Sequence, residues 1–176
     1  MKASPAMLGA AAIVAATTAA AFAALYFMKD APADTAGAAP CAYEKTTFGH
    51  ISSMAREGDH FVLRFDPAWF LSGITANVAA AEDGAVEPGE PVPNDNYRLE
   101  EGHRLLTYIV PPDADVTVLT SEGDPAQLGA TPISVAELAR IVNGGKHRPL
   151  FEPLDTGVWI RYSIDTVCSI DHQYQP

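Results

Sequence analysis

The sequence predicts a mainly β domain, a small antiparallel barrel or sandwich with one or two short helices, preceded by a single N-terminal transmembrane helix. Six strand-like runs follow residue 41, turn residues and prolines separate them, and residues 5–28 contain no charged side chain. A length of 176 residues allows one domain, at 41–176, beside a targeting segment.

The N-terminal apolar segment is long enough to cross a bilayer. Residues 5–28 would span ~36 Å as a helix, against ~30 Å of hydrocarbon. Lys2 and the α-amino group precede the segment, so the positive-inside rule places residues 1–4 in the cytoplasm. Residues 29–40, rich in Pro, Gly and Ala, then form a flexible linker. The β-rich domain at 41–176 is therefore expected outside the cytoplasm, in the periplasm or at the cell exterior.

Cleavage of this segment is the alternative to a retained anchor. Residues 31–33 (Ala-Pro-Ala) and 21–23 (Ala-Phe-Ala) fit the small-residue pattern of a signal-peptidase site, and cleavage would release a secreted domain. A usual signal-peptide core has ~7–15 apolar residues, so the longer run favours an anchor. A lipoprotein is disfavoured because Cys41 has no hydrophobic residue three positions earlier and follows a proline.

The first two strand signals predict a hairpin. Thr46–Arg56 alternates so that His50 and Met54 share an apolar face, and a Glu-Gly-Asp turn at 57–59 leads into Phe61–Asp66. Pairing Met54 with Phe61 or Leu63 puts both apolar sets on the same side of the hairpin.

A short helix and a long loop follow the hairpin. Asp66-Pro67 has the residue types of a helix N-cap and first position, which predicts a helical turn through Trp69 and Phe70. A helical pattern resumes at Thr75–Glu82. Residues 83–97 hold three prolines and are predicted to form a long loop, a kind of segment that is often functional.

The C-terminal half predicts four strands and one well-bounded helix. Ser134 and Glu137 form a capping box before the apolar run at 135–142, and Asn143-Gly144 ends that helix. In a barrel, we expect the first and last strands to pair. The four predicted strands are Arg104–Val110, Asp115–Thr120, and a terminal hairpin of Gly157–Ile164 with Thr166–Tyr174.

The two cysteines, Cys41 and Cys168, flank the domain and are predicted to form a disulfide. Both would lie in an oxidising compartment if the domain is extracytoplasmic. The alternatives are two unpaired thiols, with Cys168 buried as a small apolar residue, and a catalytic cysteine, which no local signature supports.

The sequence predicts no catalytic residue, no cofactor and no metal site. The five histidines do not have metal-ligand spacing, and no nucleotide-binding or serine-hydrolase motif occurs. Adjacent carboxylates occur at Glu82/Asp83 and Glu100/Glu101, but loop acids of this kind mostly face solvent and lack the burial that general-acid catalysis needs.

The most specific candidate binding site is the end of the proline-rich loop, with Asn94, Asp95, Tyr97 and His103. An Asn-Asp-Asn run offers oxygens to a hard cation such as Ca²⁺, although EF-hand spacing is missing. The same residues also favour an Asx turn that ends a loop before a strand, and this reading is preferred.

The net charge of the chain and a resemblance in its sequence give the remaining expectations about function. The formal charge of −11 disfavours nucleic acid as a partner. The runs FDPAWFLSGITANVAAAEDG, PVPNDNYRLE and SIDHQYQP resemble small exported bacterial proteins of unknown function, which implies an export segment and a compact domain but no activity. We therefore expect a non-enzymatic membrane protein that serves as an interaction or accessory subunit, for example of an energy-transducing complex. An exported ligand-binding or hydrolytic domain using the 83–103 loop is the alternative.

Overall fold

A computed structural model describes residues 44–100, 102, 104–121 and 128–175. The predicted transmembrane segment at 5–28, the linker at 29–40 and Cys41 lie outside these residues. Within the described part of the chain, no helix combines the length and the apolar character needed to cross a membrane. The described residues belong to one compact unit.

The domain is mainly β, with a closed five-stranded barrel and two short helices. Eight strands are hydrogen-bonded into one sheet, and short 3₁₀ turns occur at Pro93–Asp95 and Leu154–Thr156. The longer elements are β1 (Lys45–Glu57), β2 (His60–Ser72), α1 (Gly73–Glu82), β3 (Asn96–Glu100), β4 (Leu106–Val110), β5 (Asp115–Thr120), β6 (Gly129–Ile133), α2 (Val135–Val142), β7 (Val158–Ser163) and β8 (Thr166–His172).

The barrel closes in the order β1-β2-β4-β8-β7 and back to β1. The prediction that the first and last strands pair is wrong, because β1 pairs with β7 while β8 closes the barrel against β4. The sheet is also not purely antiparallel, since β8 runs parallel to both β4 and β5. A five-stranded Greek-key barrel with this connectivity is of the oligonucleotide/oligosaccharide-binding (OB) type, and such a fold alone assigns no function.

Strands β3 and β6, which the sequence analysis did not predict, extend the sheet beyond the barrel. β3 pairs with Ala68–Ser72 at the far end of β2, and β6 pairs with β5. β6 contains Pro132, which cannot donate to a ladder and is tolerated because β6 is the last strand of the sheet order. Both strands are five residues long and lack an alternating apolar pattern. They form because each pairs with a neighbouring strand.

The β1–β2 hairpin has the predicted turn, and Met54 lies opposite Leu63 as one of the two predicted registers requires. A bulge between Ile51 and Ser53 shifts the register, so the expected shared face of His50 and Met54 is wrong. Met54 belongs to the core, whereas His50 packs edge-on against the ring of Phe48. An extra residue in one strand exchanges the faces of the residues on either side of it.

The predicted helical turn at Asp66-Pro67 is wrong, because β2 continues through both residues to Ser72. β4 pairs with β2 up to Phe65 and β3 begins to pair at Ala68. Among the described strands, Asp66 and Pro67 therefore have no partner on that side of β2. A proline fits there because no ladder hydrogen bond requires its missing N–H.

Helix α2 packs against the core and begins at the predicted cap Ser134, while the Glu137 carboxylate pairs with Arg140 and Arg148 and does not complete a capping box. The Glu137 amide donates to the Ser134 hydroxyl at 3.1 Å. Val135 and Leu138 are fully buried in the main core cluster. At the other end of α2, the side-chain amide of Asn143 donates to the Met54 carbonyl at 2.8 Å, which fixes the helix to β1.

Candidate functional site

Helix α1 covers the extension that β2 and β3 form beyond the barrel. Its sheet-facing side carries only small residues, and Ala76, Ala79 and Ala80 are buried. Small side chains allow the helix backbone to approach the sheet closely. The contact is completed by Val92 from the following loop, which packs against Ala76 and Ala80.

The opposite side of α1 is also apolar. Ile74 and Val78 stand one helical turn apart and are 81% and 52% exposed, and Trp69 beside them on β2 is 54% exposed. These three are among only seven large hydrophobic side chains that are exposed in the described part of the chain. A helix with apolar residues on two opposite sides normally buries both, but in the described domain only one side of α1 is covered.

Shallow clefts flank the exposed face of α1 on both sides. One, of about 440 Å³, lies between the helix and Trp69, Leu71 and Leu99. The other, of about 510 Å³, lies between the helix and the Pro88-Gly89 part of the loop. Ile74 and Val78 line both clefts. We call the combination of Trp69, Leu71, Ile74, Val78, Leu99 and Pro88 the α1 surface.

Two hydrogen bonds hold the proline-rich loop against α1. The side chain of Asn77 accepts the Val92 amide hydrogen at 2.8 Å, and the Tyr97 hydroxyl donates to an Asp83 carboxylate oxygen at 2.9 Å. The bond to Asp83 raises the pKa of Tyr97 above its ordinary value. Because both ends of the loop are anchored, the Pro88-Gly89 wall of its cleft is preformed.

Of the four predicted binding-loop residues, the three that the structure describes line none of the clefts named here. Asn94 and Asp95 are exposed and adopt left-handed φ values of 57° and 56°, and the Asn96 side chain donates to the Asn94 carbonyl, as in turn geometry. Tyr97 packs against Ala76 and Ala80. His103 lies outside the described residues. Binding by these four residues stays a prediction.

An acidic margin surrounds the α1 surface. Residues 69–99 contain five acidic residues and one basic residue. Glu82 continues the Ile74–Val78 stripe by one further turn and lines both clefts. The single basic residue, Arg98, donates to the carbonyls of Asp155 and Thr156 at 3.3 Å. The Arg98 guanidinium therefore lies on the face of β3 that points away from α1.

Other candidate chemistry is limited in the described residues. No group of three His, Cys, Asp or Glu side chains among them could hold a metal ion. His50 Nε2 lies 3.3 Å from Glu100 Oε1, but their orientation does not make a hydrogen bond. Cys168 is half-buried on β8, and its predicted disulfide partner Cys41 lies outside the described residues, so the pairing stays a prediction.

No protein-family model, curated protein or solved structure matches this chain. The strand order defines the class of the fold, an OB-type barrel with an appended helix. Function has to be inferred from the side chains on the surface. The sequence analysis did not single out Ile74 or Val78. The available signal was the composition of α1, GITANVAAAE, which has no continuous polar face.

Proposed function

We propose that the chain is a non-enzymatic interaction subunit, anchored in a bilayer by residues 5–28, whose extracytoplasmic domain docks a partner protein on the α1 surface. The observation that carries the proposal is the pair Ile74 and Val78, exposed on a helix whose other side is already buried. Contiguous exposed apolar side chains of this kind mark interaction sites.

Charge specifies the partner chemistry. Glu82, Asp83, Glu87 and Glu90 border the α1 surface, so a matching partner element has an apolar stripe flanked by Lys or Arg. The same acidic margin disfavours an anionic lipid headgroup layer as the occupant. An amphipathic helix with Lys and Arg beside its apolar stripe has both the apolar and the basic character that this surface requires. Its apolar side chains would pack into the clefts beside α1.

The charge of the barrel disfavours nucleic acid as the partner. OB-type barrels bind oligonucleotides with the loops that correspond here to the β1–β2 and β7–β8 turns. Those turns carry Glu57, Asp59 and Asp165, and phosphate binding requires clustered Lys and Arg instead.

The test uses the full chain in detergent and two labelled helical peptides, one of Leu and Lys and one of Leu and Glu. We expect fluorescence anisotropy to show at least tenfold tighter binding of the Leu/Lys peptide, weakened by the double variant Ile74→Ser/Val78→Ser and by salt. Ile164→Ser, which removes an equally exposed isoleucine from a distant turn, is the control and should bind normally.

Equal binding of both peptides, or unchanged binding by the double variant, would refute the α1 surface as the docking site. The native mass of the chain extracted from its own membrane gives a second readout. We expect a species larger than the monomer that the double variant reduces to the monomer, and a wild-type monomer would contradict the proposed role as a subunit.

A further inference from the structure

A third cleft, remote in sequence from the α1 surface, lies between strand β1, the C-terminal end of α2 and the segment at 145–155. Its volume is about 650 Å³, within the range of ~300–1,000 Å³ that is usual for small-molecule sites. The floor is apolar and includes Ile51, Ile141, Val142 and Leu154.

The wall formed by residues 145–155 is fixed at several points. The Phe151 amide donates to the Leu119 carbonyl at 2.8 Å, and the Phe151 ring packs against Tyr174 with centroids 5.9 Å apart. Arg98 holds the carbonyls of Asp155 and Thr156. A ligand entering the cleft would therefore meet a preformed wall and would not have to order a loop, which favours affinity.

The polar groups that line the cleft are mostly hydrogen-bond acceptors. His147 Nδ1 lies 2.6 Å from the Arg148 carbonyl, which can only accept, so Nδ1 is the donor in this bond. Glu152 uses one carboxylate oxygen to accept the Gln175 amide at 3.0 Å and has a second oxygen besides. Asp155 adds another carboxylate to the lining.

Among the described residues, no Lys or Arg lines the cleft, although its wall segment contains Lys146. The nearest arginines in sequence, Arg140 and Arg148, lie 3.7 and 3.2 Å from Oε1 of Glu137, and that carboxylate competes for their charge. A cleft with an apolar floor, two carboxylates and the imidazoles of His50 and His147 is complementary to an apolar molecule with one cationic donor group.

We propose that this cleft binds a small organic amine, with the apolar body of the ligand on the Ile51–Ile141 floor and its ammonium group between Glu152 and Asp155. This site and the α1 surface share no lining residue. The two proposals therefore stand or fall separately.

The test is calorimetric titration of the full chain in detergent with phenethylamine and with 3-phenylpropionate, an aromatic acid of similar size and opposite charge. We expect the amine to bind at least tenfold more tightly. Asp155→Asn and Glu152→Gln should each weaken amine binding several-fold, and Leu150→Trp, which fills the cleft, should abolish it. Glu90→Gln removes a carboxylate outside this cleft and should bind as the wild type does.

The proposal fails if the acid binds as tightly as the amine, if neither ligand binds at millimolar concentration, or if Asp155→Asn and Glu152→Gln both leave amine affinity unchanged. Far-UV circular dichroism of each variant establishes that its fold is retained. The Ile74→Ser/Val78→Ser double variant should bind the amine normally, so a failure of the docking proposal remains distinguishable from a failure of this one.

Discussion

The Nδ1 atom of His172 accepts the amide hydrogen of Leu119 at 3.3 Å, and this contact determines the protonation state of a buried imidazole. Nε2 of the same ring lies 2.9 Å from the Thr156 hydroxyl and 3.2 Å from the Pro153 carbonyl, so it is the donor. The neutral ring thus satisfies both nitrogens. A second proton on Nδ1 would oppose the Leu119 N–H.

This arrangement makes the stability of the domain depend on pH. Burial lowers the pKa of His172 below its ordinary value of 6.5, against smaller raising effects of Pro153 and Asp155. Below pH 6.5 the unfolded chain therefore binds a proton that the folded chain does not, and folding stability falls as pH decreases. Above pH 6.5 this contribution is fully present.

We predict that the free energy of unfolding by urea decreases between pH 7 and pH 5, and that His172→Asn flattens this decrease. Asparagine keeps an acceptor near the Leu119 amide but does not titrate in this range. An identical slope in the wild type and in His172→Asn would disprove the assignment.

The β7–β8 turn contains a strained isoleucine. Ile164 has a φ of 60°, which is rare for a β-branched residue, and its side chain is 90% exposed and gains little from packing. Left-handed backbone costs such a residue ~1–2 kcal/mol, and glycine adopts it without that cost. We therefore predict that Ile164→Gly stabilises the fold by about 1 kcal/mol in chemical denaturation.

The neighbouring residue supplies the control for this prediction. Asp165 is not among the described residues that have positive φ, so Asp165→Gly should be neutral or destabilising. If both glycine substitutions stabilised the protein equally, backbone strain at Ile164 would not be the cause.

Gly49 is predicted to be intolerant of any side chain. A Cβ atom there would lie 2.2 Å from the Asp66 carbonyl oxygen and 2.8 Å from the Phe65 ring. Because the nearest atom is backbone in the partner strand, the contact can be relieved only by moving β2. We expect Gly49→Ala to lower the free energy of unfolding by about 3 kcal/mol.

Gly129 provides the comparison, since the nearest atom to its added Cβ is the Thr120 carbonyl oxygen at an ordinary 3.7 Å. Gly129→Ala should change stability by less than ~0.5 kcal/mol. Thermal and urea denaturation of the two variants, measured side by side, would contradict the steric argument if their losses were similar.

Local sequence signals correctly predicted the elements that are bounded by turn or capping residues. The Glu-Gly-Asp turn and the Ser134 cap both lie where the residue types predict them. The mainly β class with short helices is confirmed. These features depend on neighbours within a few residues, and such neighbours are visible in the sequence.

The features that were not predicted depend on distant partners. Pro67 lies in a strand because β3 and β4 leave its side of β2 unpaired, and neither strand adjoins it in sequence. The bulge near Ser53 and the parallel pairing of Ile109 with Thr166 likewise follow from closing the barrel. Val78 is exposed because no other described segment covers it. The absence of a distant segment cannot be read from the residues around Val78.

The cap at the start of α2 leads to the last prediction. The Ser134 hydroxyl accepts the Glu137 amide hydrogen, whereas Ser72, which precedes α1, makes no such side-chain bond. Removing a hydroxyl cap costs ~1 kcal/mol. We therefore predict that Ser134→Ala lowers the free energy of unfolding by about 1 kcal/mol and that Ser72→Ala leaves it nearly unchanged.

Helix α2 also supplies Ile141 and Val142 to the amine cleft, so fraying that starts at its cap should reach the site. Urea denaturation gives the stability difference between the two alanine variants. Hydrogen exchange should be faster in residues 135–142 of Ser134→Ala than in the same residues of Ser72→Ala. Equal exchange in both variants would show that the Ser134 cap does not limit the opening of α2, and that its buried residues and the Asn143–Met54 bond hold the helix instead.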